Sequence, residues 1–69
     1  MESLMGRIVT VHLVEEDPPL RLDGRVDDEL DGLVEVRLRR IDASALSPVF
    51  RRTLRVELEY VDGQNVWGV

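Results

Sequence analysis

The chain has no cysteine, no lysine, one histidine and one each of Phe, Tyr and Trp. Without cysteine there are no disulfides and no thiolate metal sites. The N-terminal stretch MESLMGRIVTVHLVEED has no basic run before its apolar part, and Thr10 and His12 interrupt that part. Neither a signal peptide nor a membrane span is expected, which makes a cytoplasmic location without a membrane partner the default. His12 has no serine or cysteine partner in a recognisable motif, and Ser3, Ser44 and Ser47 lack a G-x-S-x-G setting. No catalytic residue, cofactor or metal site is therefore expected, and an enzyme is the least favoured class.

What is present is short. Sixty-nine residues allow one domain, 1–69. So small a chain buries a modest fraction of its surface, and domains of this size usually lean on disulfides, a metal or oligomerisation. Of these supports, oligomerisation is the one left open.

All nine basic residues are arginine. Uniform arginine fits a GC-rich coding sequence; it also fits a surface whose planar forks meet carboxylate or phosphate. The formal charge is -5, which repels a polyanion overall. Its distribution is uneven: residues 1–35 hold three Arg against ten acids, and residues 36–69 six Arg against four acids. Such asymmetry points to an interaction surface, for a partner or between copies of the chain.

The clearest local pattern is Arg51–Tyr60. Leu54, Val56, Leu58 and Tyr60 alternate with Thr53, Arg55, Glu57 and Glu59, the period of a strand with one buried face. Arg7–Glu16 is rich in β-branched residues, with Val9, Val11 and Leu13 on one face and Ile8, Thr10, His12 and Val14 on the other. Pro18 and Pro19 end it. Leu20–Leu30 resumes extended structure, with Gly24 as a bulge or bend and Asp23-Gly24 as a weaker turn. Asp31-Gly32 is the better hairpin turn. Leu33–Ile41 alternates again. Asp42–Pro48 reads as a single helical turn capped by Asp42 or Ser44. Asp62-Gly63 turns the chain into a last strand, Asn65–Val69, and Met1–Met5 is a frayed start or a short helical turn. Short strands at roughly ten-residue spacing predict an all-β domain, a five-stranded SH3- or Sm-like small barrel.

Cross-strand charge pairing favours a register with Arg37 opposite Glu59, Arg39 opposite Glu57, Val36 opposite Tyr60 and Leu38 opposite Leu58. The expected core is Val9, Val11, Leu13, Leu20, Leu22, Val26, Val34, Val36, Leu38, Leu54, Val56, Leu58 and Tyr60. A second apolar set, Ile8, Val14, Val49, Phe50, Val61, Val66 and Val69, is left to cover.

Some motifs bear on function. Asp27, Glu29, Asp31 and Gly32 occupy the first, third, fifth and sixth places of a calcium loop, but its twelfth place is Leu38, which cannot ligate. They read better as a solvated acidic hairpin tip. Arg51-Arg52-x-x-Arg55 resembles the arginine motif that opens PilZ domains, which bind cyclic dinucleotides; the D-x-S-x-x-G partner of that motif is absent. Gly24-x-Val26 and the apolar Leu33–Leu38 strand are similar in outline to the first motif of Sm-like barrels.

The expected function is that of a non-enzymatic module that self-associates into a homo-oligomer, with Ile8, Val14, Phe50, Val66 and Trp67 at the interface. The alternative is a barrel that binds RNA, DNA or a nucleotide through Arg37, Arg39, Arg51, Arg52 and Arg55. That alternative depends on whether Glu35, Glu57 and Glu59 neutralise the arginines.

Overall fold

The computed structural model of the chain describes residues 3–43 and 47–69. Five strands follow one another: β1 (Ile8–Leu13), β2 (Leu20–Leu30), β3 (Leu33–Asp42), β4 (Ser47–Asp62) and β5 (Asn65–Gly68). Each pairs antiparallel with the next, and β5 pairs with β1 to close the barrel. The closing seam is parallel. Every hairpin reverses the chain, so the fifth strand of a meander must run the way of the first. Two of the turns are those expected: Gly32 between β2 and β3 has φ 73°, and Gly63 between β4 and β5 has φ 58°, a conformation that glycine adopts without a Cβ penalty. Asp23-Gly24 is not a turn, because β2 runs straight through it.

A five-stranded ring encloses a narrow space, since barrel diameter grows with strand number. The residues that fill it are accordingly small and β-branched. Val9, Val11, Val26, Val34, Val36, Val56 and Val66 are essentially inaccessible, and Leu4 joins them. Leu13, Leu54 and Leu58 pack against this cluster from its rim. The ring is so tight at two points that only glycine fits. A Cβ on Gly24 would meet Val36 Cγ1 and lie 2.6 Å from the Arg37 carbonyl oxygen; one on Gly68 would meet the Glu57 carbonyl oxygen and lie 2.6 Å from Val56 Cγ1.

Three bulges interrupt the ladders, and each resets which side chains face inward. One lies between Val26 and Asp28, leaving Asp27 unpaired. A second leaves Arg51 out, with Leu38 opposite Arg52 and Arg39 opposite Phe50. The third leaves Glu59 out, with Leu58 opposite Gly68 and Tyr60 opposite Trp67. After the third bulge Tyr60 turns outward and is 61% exposed, although simple alternation puts it in the core. Leu20, also expected inside, is exposed at the far end of the β1–β2 ladder. Val66 moves the opposite way, from the expected outer set into the core.

The β3–β4 register differs from the expected one. Glu35 lies opposite Arg55, Arg37 opposite Thr53 and Val36 opposite Leu54. The reason lies at both ends of β4. Its ladder with β3 extends to Asp42 opposite Ser47, so the connection is short and fixes the offset. The final part of β4, from Leu58 to Asp62, is occupied by β5, so Glu59 is not available to Arg37. The helical turn expected over 42–48 is not seen: Asp42, Ser47 and Pro48 are strand and Ala43 is a turn, while Ser44–Leu46 lie outside the described residues.

Of the stretch expected to be a frayed start or a short turn, Met1 and Glu2 lie outside the described residues, Met5 and Gly6 form a turn, and residues 3–7 are anchored. Leu4 enters the core, the Gly6 amide donates to the Val26 carbonyl at 2.8 Å, and the Arg7 carbonyl accepts from the Val26 amide at 2.9 Å. Glu29 fixes the preceding turn, its Oε2 accepting from the Ser3 hydroxyl and the Leu4 amide, each at 2.9 Å.

Candidate functional site

The outer surface of the barrel divides into a charged face, a projecting ribbon and an aromatic face. On the charged face, Arg25 of β2 stands opposite Arg37 of β3. The Asp27 bulge places a carboxylate between them: Oδ1 accepts from Arg25 Nε and Oδ2 from Arg37 Nε, both at 3.1 Å. The Arg25 hydrogen bond, and then that of Arg37, hold the Asp27 carboxyl below the usual carboxylate range, against a partial desolvation that acts the other way. Arg25 also lies over the Phe50 ring, 4.6 Å from its centroid, a cation–π contact. Arg55 Nε donates to Glu35 Oε1 at 3.1 Å. Arg37 and Arg55 are thus committed within the sheet, and Phe50 is half-buried under Arg25.

The ribbon is the part of the β3–β4 hairpin beyond the ring. Arg39–Asp42 pair with Ser47–Phe50, whereas the neighbouring stretch of β2, Leu20–Asp23, pairs with β1. The ribbon therefore leaves the barrel with no ladder partner in β2 or β5, and the Arg25 side chain of β2 reaches it at Phe50. It carries Arg39 and Arg40, with Arg51 and Arg52 at its base. Among the described residues none of these four makes an ion pair. Arg40 and Arg51 line an open groove of about 280 Å³ together with Ile41, Asp42, Ala43 and Val49. Arg40 lies opposite Val49, and Arg51, the unpaired residue of the second bulge, lines the same groove as both. Arg40 belongs to the stripe of arginines visible in the sequence but not to the five expected to bind a ligand; the fold sets it at the same groove as the bulged Arg51.

The aromatic face is made by β1, β5 and the end of β4. His12 and Trp67 are register partners with rings stacked at 4.7 Å and an interplanar angle of 13°. His12 Nε2 lies 3.0 Å from Asn65 Oδ1. Tyr60 extends the row, its ring 5.2 Å from that of Trp67 and tilted by 41°. Ile8 and Val14 share the outward parity of His12 and are exposed. The outward side chains of β1 and β5 thus include no Arg, Asp or Glu, in contrast to the charged face.

Of the residues expected at an interface, Ile8, Val14 and Trp67 belong to this face, Phe50 to the charged face and Val66 to the core. Tyr60 is the one that alternation concealed. The acidic hairpin does not gather its carboxylates: Asp27 is held by two arginines and Glu29 by the N-terminal turn. Among the described residues no group of three or more His, Cys, Asp or Glu side chains could hold a metal ion, and no helix is long and apolar enough to cross a membrane. Comparison with models of known families, with curated proteins and with solved structures finds no match to the chain.

Proposed function

We propose that the chain is a non-enzymatic interaction module, a cytoplasmic small barrel of the SH3- or Sm-like kind, that self-associates through its aromatic face. The observation that carries this reading is the row His12, Trp67 and Tyr60, flanked by Ile8 and Val14 and without Arg, Asp or Glu on the outward positions of β1 and β5. Tyr and Trp are enriched at the centres of protein interfaces, where charged residues are depleted. A face of this kind suits a two-fold contact, in which the same residues are buried on both copies.

The thinness of the core supports the same reading. Among the described residues eight apolar ones are buried and seven of them are valine, each contributing the modest burial of a small side chain. A second copy laid on the aromatic face adds apolar area that one ring is too narrow to enclose.

Sedimentation equilibrium at micromolar concentration tests the proposal. A concentration-dependent oligomer is expected, and Tyr60→Asp should return it to a folded monomer. Tyr60 is exposed, so this change leaves the core untouched. A wild-type chain that is strictly monomeric across that range overturns the reading.

A further inference from the structure

We infer that the groove of the β3–β4 ribbon is a binding site for a phosphate monoester of the nucleoside monophosphate kind, clamped by Arg40 and Arg51. The site lies apart from the aromatic face and does not depend on self-association.

The first argument is how the chain treats the three arginines of its charged face, Arg25, Arg37 and Arg55. Where Arg25 and Arg37 face each other, a bulge inserts Asp27 between them; Arg55 is given Glu35. The ribbon brings Arg39, Arg40, Arg51 and Arg52 close along two paired strands, and none of them makes an ion pair among the described residues. None of the four stands opposite another across the ladder, but unneutralised guanidinium groups this close in the fold still repel one another, at the modest strength of exposed charges. An anion that supplies the missing counter-charge relieves that repulsion.

The second argument is shape and chemistry. Arg40 and Arg51 share one concave wall. Guanidinium groups are planar donor forks suited to phosphate oxygens, and a pair of them matches a dianion. Ile41, Ala43 and Val49 complete the wall with apolar surface, which a bare phosphate ion leaves uncovered and a nucleoside body occupies. The volume of about 280 Å³ lies just below the range of typical ligand sites, which run from about 300 Å³ upward. A long polyanion is disfavoured: the net charge of the chain is -5, and the groove itself contains Asp42.

Calorimetric titration with a nucleoside 5′-monophosphate, the parent nucleoside, inorganic phosphate and a short single-stranded oligonucleotide tests the assignment. The monophosphate is expected to bind saturably, with the nucleoside and inorganic phosphate each weaker by about tenfold or more. Arg51→Gln and Arg40→Gln should each weaken it by about tenfold or more, with Arg51→Lys intermediate because the point charge remains but the fork is lost. Arg55→Gln, on the charged face, should leave the affinity unchanged, and circular dichroism checks that every variant keeps its sheet. Four results overturn the inference: no saturable binding of the monophosphate, equal binding of nucleoside and monophosphate, an Arg51→Gln affinity equal to wild type, or tighter binding of the oligonucleotide with a steep salt dependence, which identifies a polyanion surface instead.

Discussion

Arg25 and Arg37 face each other across the β2–β3 ladder, like charge against like charge, and are held there by the one carboxylate between them. Direct opposition of like charges disfavours a register. Here the bulge that frees Asp27 from the ladder makes the opposition workable, since each carboxylate oxygen accepts from one guanidinium.

Asp27→Asn should therefore lower stability more than Glu35→Gln, because it leaves two arginines unneutralised rather than one. The pH dependence follows from the direction of the Asp27 shift. Its carboxyl is held below the usual value in the folded chain, so the contribution is fully present above the unfolded value of about 3.9 and is lost as pH falls through the lower folded value. Urea denaturation midpoints measured between neutral pH and about pH 2 should fall on acidification, less steeply in Asp27→Asn than in wild type.

Gly24→Ala should destabilise the barrel by about 2–3 kcal/mol. The added methyl meets Val36 and the Arg37 carbonyl oxygen, and neither can withdraw in so narrow a ring. Gly6→Ala is the contrasting case, because its Cβ meets nothing while its φ of 77° is unfavourable for alanine; about 1 kcal/mol is expected. Thermal or chemical denaturation of the two variants distinguishes close packing from backbone conformation.

Leu4→Ala should cost about 2 kcal/mol or more, as expected for truncating a buried leucine. Glu29→Ala should cost roughly 1 kcal/mol through the two hydrogen bonds it accepts from Ser3 and Leu4. The two residues act on the same turn, so the double variant should cost less than the sum of the singles. Additive values from denaturation curves would contradict that coupling.

Hydrogen exchange should divide the β3–β4 hairpin into two zones. Amides of Val34, Val36 and Val56 lie within the closed ring, whereas Arg39–Asp42 and Ser47–Phe50 form a two-stranded ribbon. Isolated two-stranded ladders are marginal in water. Ladder-bonded amides of the ribbon should exchange at least roughly tenfold faster than those of the ring. Equal protection indicates that something covers the ribbon in solution.

The sequence made the strands and turns legible because alternation and Asp-Gly pairs are local signals. Val9, Val11, Val34, Val36 and Val56 were assigned to the core on parity alone, and they are there. What parity could not anticipate were the bulges. Nothing in Glu57-Leu58-Glu59-Tyr60 marks Glu59 as the extra residue, since the pattern is unbroken until β5 pairs with it. That one insertion turned Tyr60 from an expected core residue into the exposed end of the aromatic row. Register failed for a related reason. Charge pairs worth a few tenths of a kcal/mol each are outweighed by a short connection and by a fifth strand claiming the end of β4. Leu4 is buried, but a single leucine ahead of a strand has no period to reveal it. The arginine groove was legible only as an excess of arginine; which of them are neutralised is a property of the fold.

The parallel seam between β1 and β5 has a consequence for anyone who would re-engineer the chain. Because the first and last strands run the same way, the polypeptide enters the ring at one pole and leaves it at the other. Labels set just ahead of β1 and just after β5 therefore sit at opposite poles. A circular permutant has to span the height of β1, which at six residues and about 3.3 Å each is roughly 20 Å. A linker shorter than about six extended residues cannot make that crossing without prising the seam apart.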